Sequence, residues 1–117
     1  MDTINEKRLE SQIQDILEAI DVTELFIDGM SFTEFSQDQK TIFAVERSMG
    51  IIGITAKRLP TDFIDRYSEI DWRNITGLGD KLTFGIFEVD LSVLWTTTQH
   101  DMPKLKKLML SLVSSDS

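Results

Sequence analysis

The amino-acid sequence predicts an all-α fold, an up-and-down four-helix bundle with short additional helical turns. Apolar residues recur at three- and four-residue spacing in four segments, and no segment alternates between apolar and polar residues as a strand does. Short connections join the segments, as they do between antiparallel neighbours in a bundle. At 117 residues the chain has the size of one domain, and we expect residues 1–117 to share a single core.

The first predicted element is a long amphipathic helix that ends at Gly29, because glycine commonly occupies the position after the last helical turn. A short helix follows it. Ser31 and Glu34 have the three-residue spacing of a capping box, which predicts a helical turn that ends near Ser36. The apolar side of the long helix is formed by Leu9, Ile13, Ile16, Leu17, Ile20 and Ile27.

A second long helix is predicted from about Asp38 to Leu59, where Pro60 stops it because proline has no N–H to donate. Three further apolar side chains broaden its apolar surface, so we expect this helix to be buried between several others. Its main seam is formed by Ile42, Val45, Met49, Ile52 and Ala56, and the broadening residues are Phe43, Ile51 and Ile54.

Residues 60–72 are predicted to form a helical turn and a connector, and a third helix is expected to begin near Trp72. Asp90 is a suitable N-cap for the last helix. Pro103 is expected to kink that helix, unless one helix ends there and another begins. The inward residues predicted for these two helices are Ile75, Leu78 and Leu82, followed by Leu91, Leu94, Trp95, Leu105, Leu108 and Leu112.

The composition argues against several classes of function. The chain has 12 Lys and Arg against 20 Asp and Glu, and its net charge of −8 argues against DNA and other polyanions as partners. The absence of cysteine excludes disulfides, thiol nucleophiles and zinc–thiolate sites. No apolar run is long enough to cross a membrane, so we expect a cytoplasmic protein without a membrane partner.

Neither a cofactor nor a metal site is predicted. The stretch GLGDKLTFGIF lacks the third glycine of a dinucleotide loop and the Gly-Lys-Ser/Thr order of a phosphate loop. Its Gly77 and Gly79 would each weaken a helix by about 1 kcal/mol relative to alanine, so another requirement is expected there. The one histidine, His100, precedes Asp101, but neighbouring residues on a helix point about 100° apart.

Three stretches cover most of the chain: GMSFTEFSQDQKTIFAVERSMGIIGITAKRLP, then EIDWRNITGLGDKLTF, then VDLSVLWTTTQHDMPKL. In this order and spacing they resemble the HepT-like proteins, ribonuclease toxins encoded beside minimal nucleotidyltransferase antitoxins. The resemblance extends from about Ile13 to Leu110 and needs no gaps between these landmarks. It implies a four-helix bundle that forms a homodimer, and a ribonuclease activity that uses no metal.

The resemblance also implies where a ribonuclease site would lie. Between the matched segments that end at Gly77 and begin at Val89, family members carry an arginine, four residues, a histidine, one residue and a tyrosine. These three positions correspond to Gly79, Phe84 and Ile86 in this chain, so none of the family's three residues is present. The tyrosine is the residue that the partner nucleotidyltransferase adenylylates in the family, and isoleucine has no oxygen to modify.

Two further positions of the family pattern have also lost their charge. A glutamate that is usual in the second helix corresponds to Ile54, and another acidic residue corresponds to Gly50. Ile54, Phe84 and Ile86 are expected to form an apolar patch. One interpretation is that these side chains pack into the core or make a drier dimer interface. The other is a new apolar pocket or partner surface.

RNA cleavage through the 2′-hydroxyl needs a group that transfers protons and a cation that stabilises charge on the phosphorane. Because glycine, phenylalanine and isoleucine can do neither, we expect a catalytically inactive or strongly impaired protein that acts as a dimeric binding module. Two alternatives stay open. A ribonuclease toxin with residual activity on RNA would use Arg47, Arg73 or Lys81 with His100, or the bundle would dock a minimal nucleotidyltransferase without being modified by it.

Overall fold

The computed structural model of the protein describes residues 3–85 and 89–114, and every regular element in these ranges is helical. None of these helices combines the length and the apolar character needed to cross a membrane. In chain order the elements are α1 (Thr3–Ile27), α2 (Phe32–Gln37), α3 (Gln39–Lys57), α4 (Thr61–Arg66), α5 (Trp72–Phe84), α6 (Leu91–Thr96), a π-helical turn (Thr97–Asp101) and α7 (Met102–Ser114).

Four helical columns make up the bundle: α1, α3, α5, and α6 continued by α7. Helix α3 packs against both α1 and α5, and α1 also packs against α7. Helices α1 and α3 are antiparallel, because the hydroxyls of Thr23 and Ser48 lie 2.6 Å apart while Gln12 donates to the Arg58 carbonyl at 3.2 Å. The predicted all-α bundle is therefore confirmed, with α2 and α4 as the short additional helices.

The apolar stripes predicted from the sequence form the core of the bundle. Ile16, Ile20, Leu94 and Leu105 have no solvent exposure, and all five residues of the α3 seam are buried. Because burial of apolar surface is the main favourable contribution to folding, these stripes hold the four columns together. Residues at the edges of the stripes pack against the core while remaining partly exposed, namely Leu9, Leu82, Leu91, Trp95, Leu108 and Leu112.

The ends of the helices follow the predicted local signals. Gly29 lies two residues after the end of α1 and has a φ of 75°, a conformation that residues with a side chain disfavour. Ser31 and Glu34 form both bonds of the capping box, at 3.1 and 2.9 Å. At α6, the Asp90 carboxylate accepts hydrogen bonds from the hydroxyl and the N–H of Ser92, which lower the pKa of Asp90.

Helix α3 is less buried than the sequence predicts. Phe43 is 61% exposed and Ile51 is 37% exposed, while Ile54 is half-buried. As expected, α3 packs between several helices, but α1 and α5 cover only two of its sides and leave an outer side with these apolar residues. The breadth of an apolar pattern does not say whether another part of the same chain covers it.

Pro103 does not break the last helix, because a π-helical turn precedes it. The Met102 N–H donates to the Thr97 carbonyl, five residues earlier, which widens the helix just before the proline. The turn is held against α5 by the Asn74 side-chain amide, which donates to Thr97 Oγ1 at 3.1 Å and to the Asp101 carboxylate. The last helix therefore changes its hydrogen-bond register just before Pro103, and the predicted kink stays a prediction.

Candidate functional site

The described positions at which the sequence predicts a degenerate site lie along the packing surface of α3 and α5. Two adjoining cavities open there and share Glu46, Arg47 and Leu82 as lining residues. The first, called the glycine cavity, has a volume of about 300 Å³ and is also lined by Gly50, Ile51, Ile54, Thr55 and Thr83. The second, called the charged cavity, has a volume of about 410 Å³ and is also lined by Phe43, Lys81, Gly85, Val89 and Leu91.

Gly50 and Ile54 lie one turn apart on α3 and both face the glycine cavity. A Cβ atom added to Gly50 would lie 3.7 Å from the Cβ of Leu82 and 3.9 Å from Oγ1 of Thr83, which are ordinary van der Waals distances. A small side chain would therefore fit at Gly50. In the present chain neither position supplies a charge or a proton-transfer group to the cavity.

Gly79 lines neither cavity and lies where the backbones of α3 and α5 touch. A Cβ atom added to Gly79 would lie only 2.6 Å from Cα of Gly53 and 2.7 Å from its carbonyl carbon. The same test applied to Gly53 gives the same result, because a Cβ atom added there would lie 2.5 Å from Cα of Gly79. Close approach of two backbones therefore accounts for Gly79 in the middle of a helix, whereas nothing lies within 4 Å of a Cβ added to Gly77.

Phe84 occupies the last position of α5 and is 65% exposed. The helix ends there because Gly85 adopts a left-handed conformation with a φ of 61°. Ile86 lies outside the described residues. Packing into the core is therefore wrong for Phe84, which is a surface side chain, and Ile54 lines a cavity. A drier dimer interface at these residues stays a prediction.

Three charged side chains line the charged cavity: Glu46, Arg47 and Lys81. Glu46 is half-buried, and the loss of water around it raises the pKa of its carboxyl group. No ion pair within residues 3–85 and 89–114 involves any of the three; Lys57 instead pairs with Asp80 at 3.0 Å. The arrangement can bind an anion through its cations. The sequence did not single out Glu46, because a lone glutamate beside an apolar stripe carries no distinguishing signal.

His100 does not join these cations. It is exposed on the π-helical turn, at the level of the start of α5, where Asn74 contacts Asp101. Lys81 lies seven residues after Asn74 on α5, which places it about 10 Å from Asn74 along the helix axis. Neither His100 nor Arg73 lines the glycine cavity or the charged cavity. The structure therefore does not bring His100 together with Arg47 or Lys81 at either cavity, and a site that combines His100 with Arg73 stays a prediction.

The described residues contain no group of three or more His, Cys, Asp or Glu side chains arranged to hold a metal ion. The glycine-rich stretch does not form a loop around an anion either, because its residues from Gly77 to Phe84 belong to α5 and their N–H groups take part in a helix.

A family model described as "Ribonuclease HepT-like" matches residues 16–112 of the chain. A protein of Thermococcus cleftensis named "Probable ribonuclease HepT" is 44% identical over 94 residues, which cover 80% of this chain and 86% of the relative. "Putative RNase MJ0127" of Methanocaldococcus jannaschii is 35% identical over 97 residues, which cover 83% and 80% of the two chains. No solved structure shows a significant match.

Proposed function

This chain belongs to the ribonuclease HepT-like family, and on that premise we propose that it is a catalytically inactive or strongly impaired member. It acts in the cytoplasm as a homodimeric binding module. The helical bundle of the family is retained, while the groups that would cleave RNA are replaced by residues without charge or proton-transfer capacity. Its role is therefore to bind partners, within a system derived from a toxin–antitoxin pair.

The contact between Gly79 and Gly53 is the observation that carries this proposal. The resemblance to the family assigns the arginine of the ribonuclease site to position 79. In this chain even the first side-chain carbon at that position would overlap the backbone of α3, at 2.6 Å from Cα of Gly53. A cation held at this position would require the two helices to move apart. The close packing thus supports the loss of the positive group that stabilises the transition state.

The other replaced positions support the same proposal. Phe84 stands where the family's histidine is expected, and it offers an apolar ring to solvent. Ile54 lines the glycine cavity without a carboxylate. Loss of a general acid or base lowers a rate by roughly 10²–10⁴, and loss of a charge-stabilising donor by roughly 10²–10³. Even with strong overlap between the two effects, little cleavage would remain.

A second candidate function is a ribonuclease with residual activity, and the charged cavity is the observation that favours it. Glu46 has a raised pKa, so it holds a proton at a higher pH than an exposed glutamate does. Arg47 and Lys81 line the same cavity and could attract a phosphate. The Glu46→Gln/Lys81→Ala double variant removes the carboxyl group and one of the two cations, so it distinguishes this candidate from the inactive protein.

The binding partner would be a minimal nucleotidyltransferase that docks without modifying the chain. Nucleotidyltransferases of this kind modify the tyrosine of the HepT-like family, and in this chain that position is occupied by Ile86. The proposal therefore separates docking from modification. A complex recovered with the product of a neighbouring nucleotidyltransferase gene, without adenylylation of the bundle, would support this part of the proposal.

Expression in a bacterial host tests the proposal in cells. We expect cells that produce the protein to grow as fast as cells with an empty vector, because transfer and messenger RNA remain intact. The Glu46→Gln/Lys81→Ala variant should give the same growth curve. Growth arrest by the unchanged protein, relieved in the double variant, would establish the residual ribonuclease instead.

A further inference from the structure

The glycine cavity and the charged cavity adjoin along α3, and they differ in chemistry. The glycine cavity is open because Gly50 has no side chain; a Cβ atom added there would already lie 3.7 Å from the Cβ of Leu82. Volumes of about 300 and 410 Å³ are within the range of small-molecule sites, roughly 300–1,000 Å³. The apolar residues that line the glycine cavity are Gly50, Ile51, Ile54 and Leu82.

Two cations reach this surface from two different helices. Arg47 is on α3 and Lys81 is on α5, and both line the charged cavity. Helices α3 and α5 are antiparallel, and Gly50 is level with Leu82. Counting along each helix from that level separates Arg47 from Lys81 by about 6 Å along the axis. Because both side chains are long, they can contact the same anion between them.

Among the described residues, Glu46 is the only acidic side chain that lines the two cavities. It is half-buried and makes no ion pair within them, and the loss of water around it raises the pKa of its carboxyl group. A cation supplied by a ligand would compensate for the lost water. A simple anion would be repelled by Glu46 while it is attracted by the two cations, so the surface suits a ligand that carries both signs of charge.

We propose that the two cavities together bind a free α-amino acid with a large apolar side chain, such as leucine or phenylalanine. Its carboxylate lies between Arg47 and Lys81, its ammonium group contacts Glu46, and its side chain enters the glycine cavity. An arginine can hold a carboxylate through two parallel hydrogen bonds, which are stronger than bonds between neutral groups. A cavity of about 150 Å³ is enough to bind benzene, so the glycine cavity has room for either side chain.

This inference rests on the proposed function, because a working ribonuclease would need the same surface for RNA. Gly50 and Ile54, the positions that the resemblance assigns to acidic residues, line the glycine cavity without charge. Arg47 and Lys81 keep positive charge beside them. A surface that lacks the groups for cleavage thus retains what a small zwitterion with an apolar side chain needs.

Isothermal titration calorimetry of the full chain with a series of ligands tests each contact. L-leucine and L-phenylalanine should bind. L-alanine has three side-chain carbons fewer than leucine and should bind roughly 50-fold more weakly, because less apolar surface is buried. N-acetyl-L-leucine loses the ammonium group and L-leucine methyl ester loses the carboxylate, so each should bind about tenfold or more weakly than leucine. This series needs only the unchanged protein and therefore does not depend on the folding of a variant.

Three variants assign the contacts to residues, with circular dichroism to confirm their folding. Glu46→Gln and Lys81→Ala should each weaken leucine binding by about tenfold or more. Gly50→Val should abolish it, because a Cβ atom fits there but the rest of the side chain fills the cavity. Glu46→Gln should also reduce the preference for leucine over N-acetyl-leucine, which a merely structural role of Glu46 would not produce. Arg73→Ala is the matched control, since Arg73 is an exposed cation on the same helix as Lys81 and lines neither cavity.

Several results would overturn the inference, and they differ in what else they affect. If neither leucine nor phenylalanine binds, the inference fails and the proposed function stands, because RNA cleavage tests that function separately. Equal affinity for leucine and N-acetyl-leucine would show that Glu46 receives no ammonium group. Leucine binding that is unchanged in Lys81→Ala and Gly50→Val would place the amino acid elsewhere on the protein. Cleavage of RNA by the unchanged protein would contradict the proposed function and, with it, the premise of this inference.

Discussion

Replacing Gly79 with alanine is expected to destabilise the protein by about 1–3 kcal/mol, and replacing it with arginine by more. The added Cβ atom would lie 2.6–2.7 Å from backbone atoms of Gly53. Backbone atoms within a helix cannot relieve such an overlap by rotating away, as a flexible side chain can. The two helices must therefore separate, which also loosens the apolar contacts of α3 with α5. Urea unfolding of the purified variants measures the change.

Gly77→Ala is the matched control for this prediction. It lies in the same helix, two residues away, and nothing lies within 4 Å of its added Cβ atom. Alanine favours a helix over glycine by about 1 kcal/mol, so this variant should be more stable than the wild type. If Gly77→Ala and Gly79→Ala stabilise the protein equally, the close approach of α3 and α5 at Gly53 does not exist in solution.

Rebuilding the family's three residues is expected not to restore a working ribonuclease. In the Gly79→Arg/Phe84→His/Ile86→Tyr variant the arginine can enter only if α3 and α5 move apart, and Gly50 and Ile54 still supply no acid. A complete site would gain roughly 10²–10⁴ in rate from its proton-transfer group and 10²–10³ from its cation. We expect the triple variant to show only a small part of that gain.

Cleavage of labelled RNA, measured beside the unfolding curve of each variant, checks this second prediction. Gly79→Arg alone is the control, because it carries the same packing defect without the new histidine. Phe84→His alone should leave stability within about 0.5 kcal/mol of the wild type, since Phe84 is 65% exposed. A triple variant that is as stable as the wild type and cleaves RNA rapidly would contradict the claim that the close packing of Gly79 against Gly53 excludes an arginine at position 79.

Much of the fold follows from local sequence signals. The buried stripes of α1 and α3 repeat every three or four residues, so their inward sides are visible without any structure. The capping box at Ser31 and Glu34 likewise acts between residues three positions apart. Such signals depend only on the residues that carry them, and for that reason the bounds of the helices could be predicted closely.

Contacts between helices were beyond the reach of the sequence. Gly53 and Gly79 are both visible in it, but their contact depends on how α3 and α5 are rotated against each other. The exposure of Phe43 and Phe84 depends in the same way on what the rest of the chain leaves uncovered. The position of His100, away from Lys81, follows from the antiparallel course of two helices rather than from any spacing in the sequence.

The most direct test of the central claim is the rate of RNA cleavage by the purified, unchanged protein in excess over structured and unstructured RNA. Because Gly79 and Phe84 stand where the family carries its cation and its proton-transfer group, we expect no cleavage above the buffer control. The Glu46→Gln/Lys81→Ala variant, which removes two of the charged groups in the charged cavity, should give the same trace. Cleavage by the unchanged protein that disappears in this variant would contradict the account.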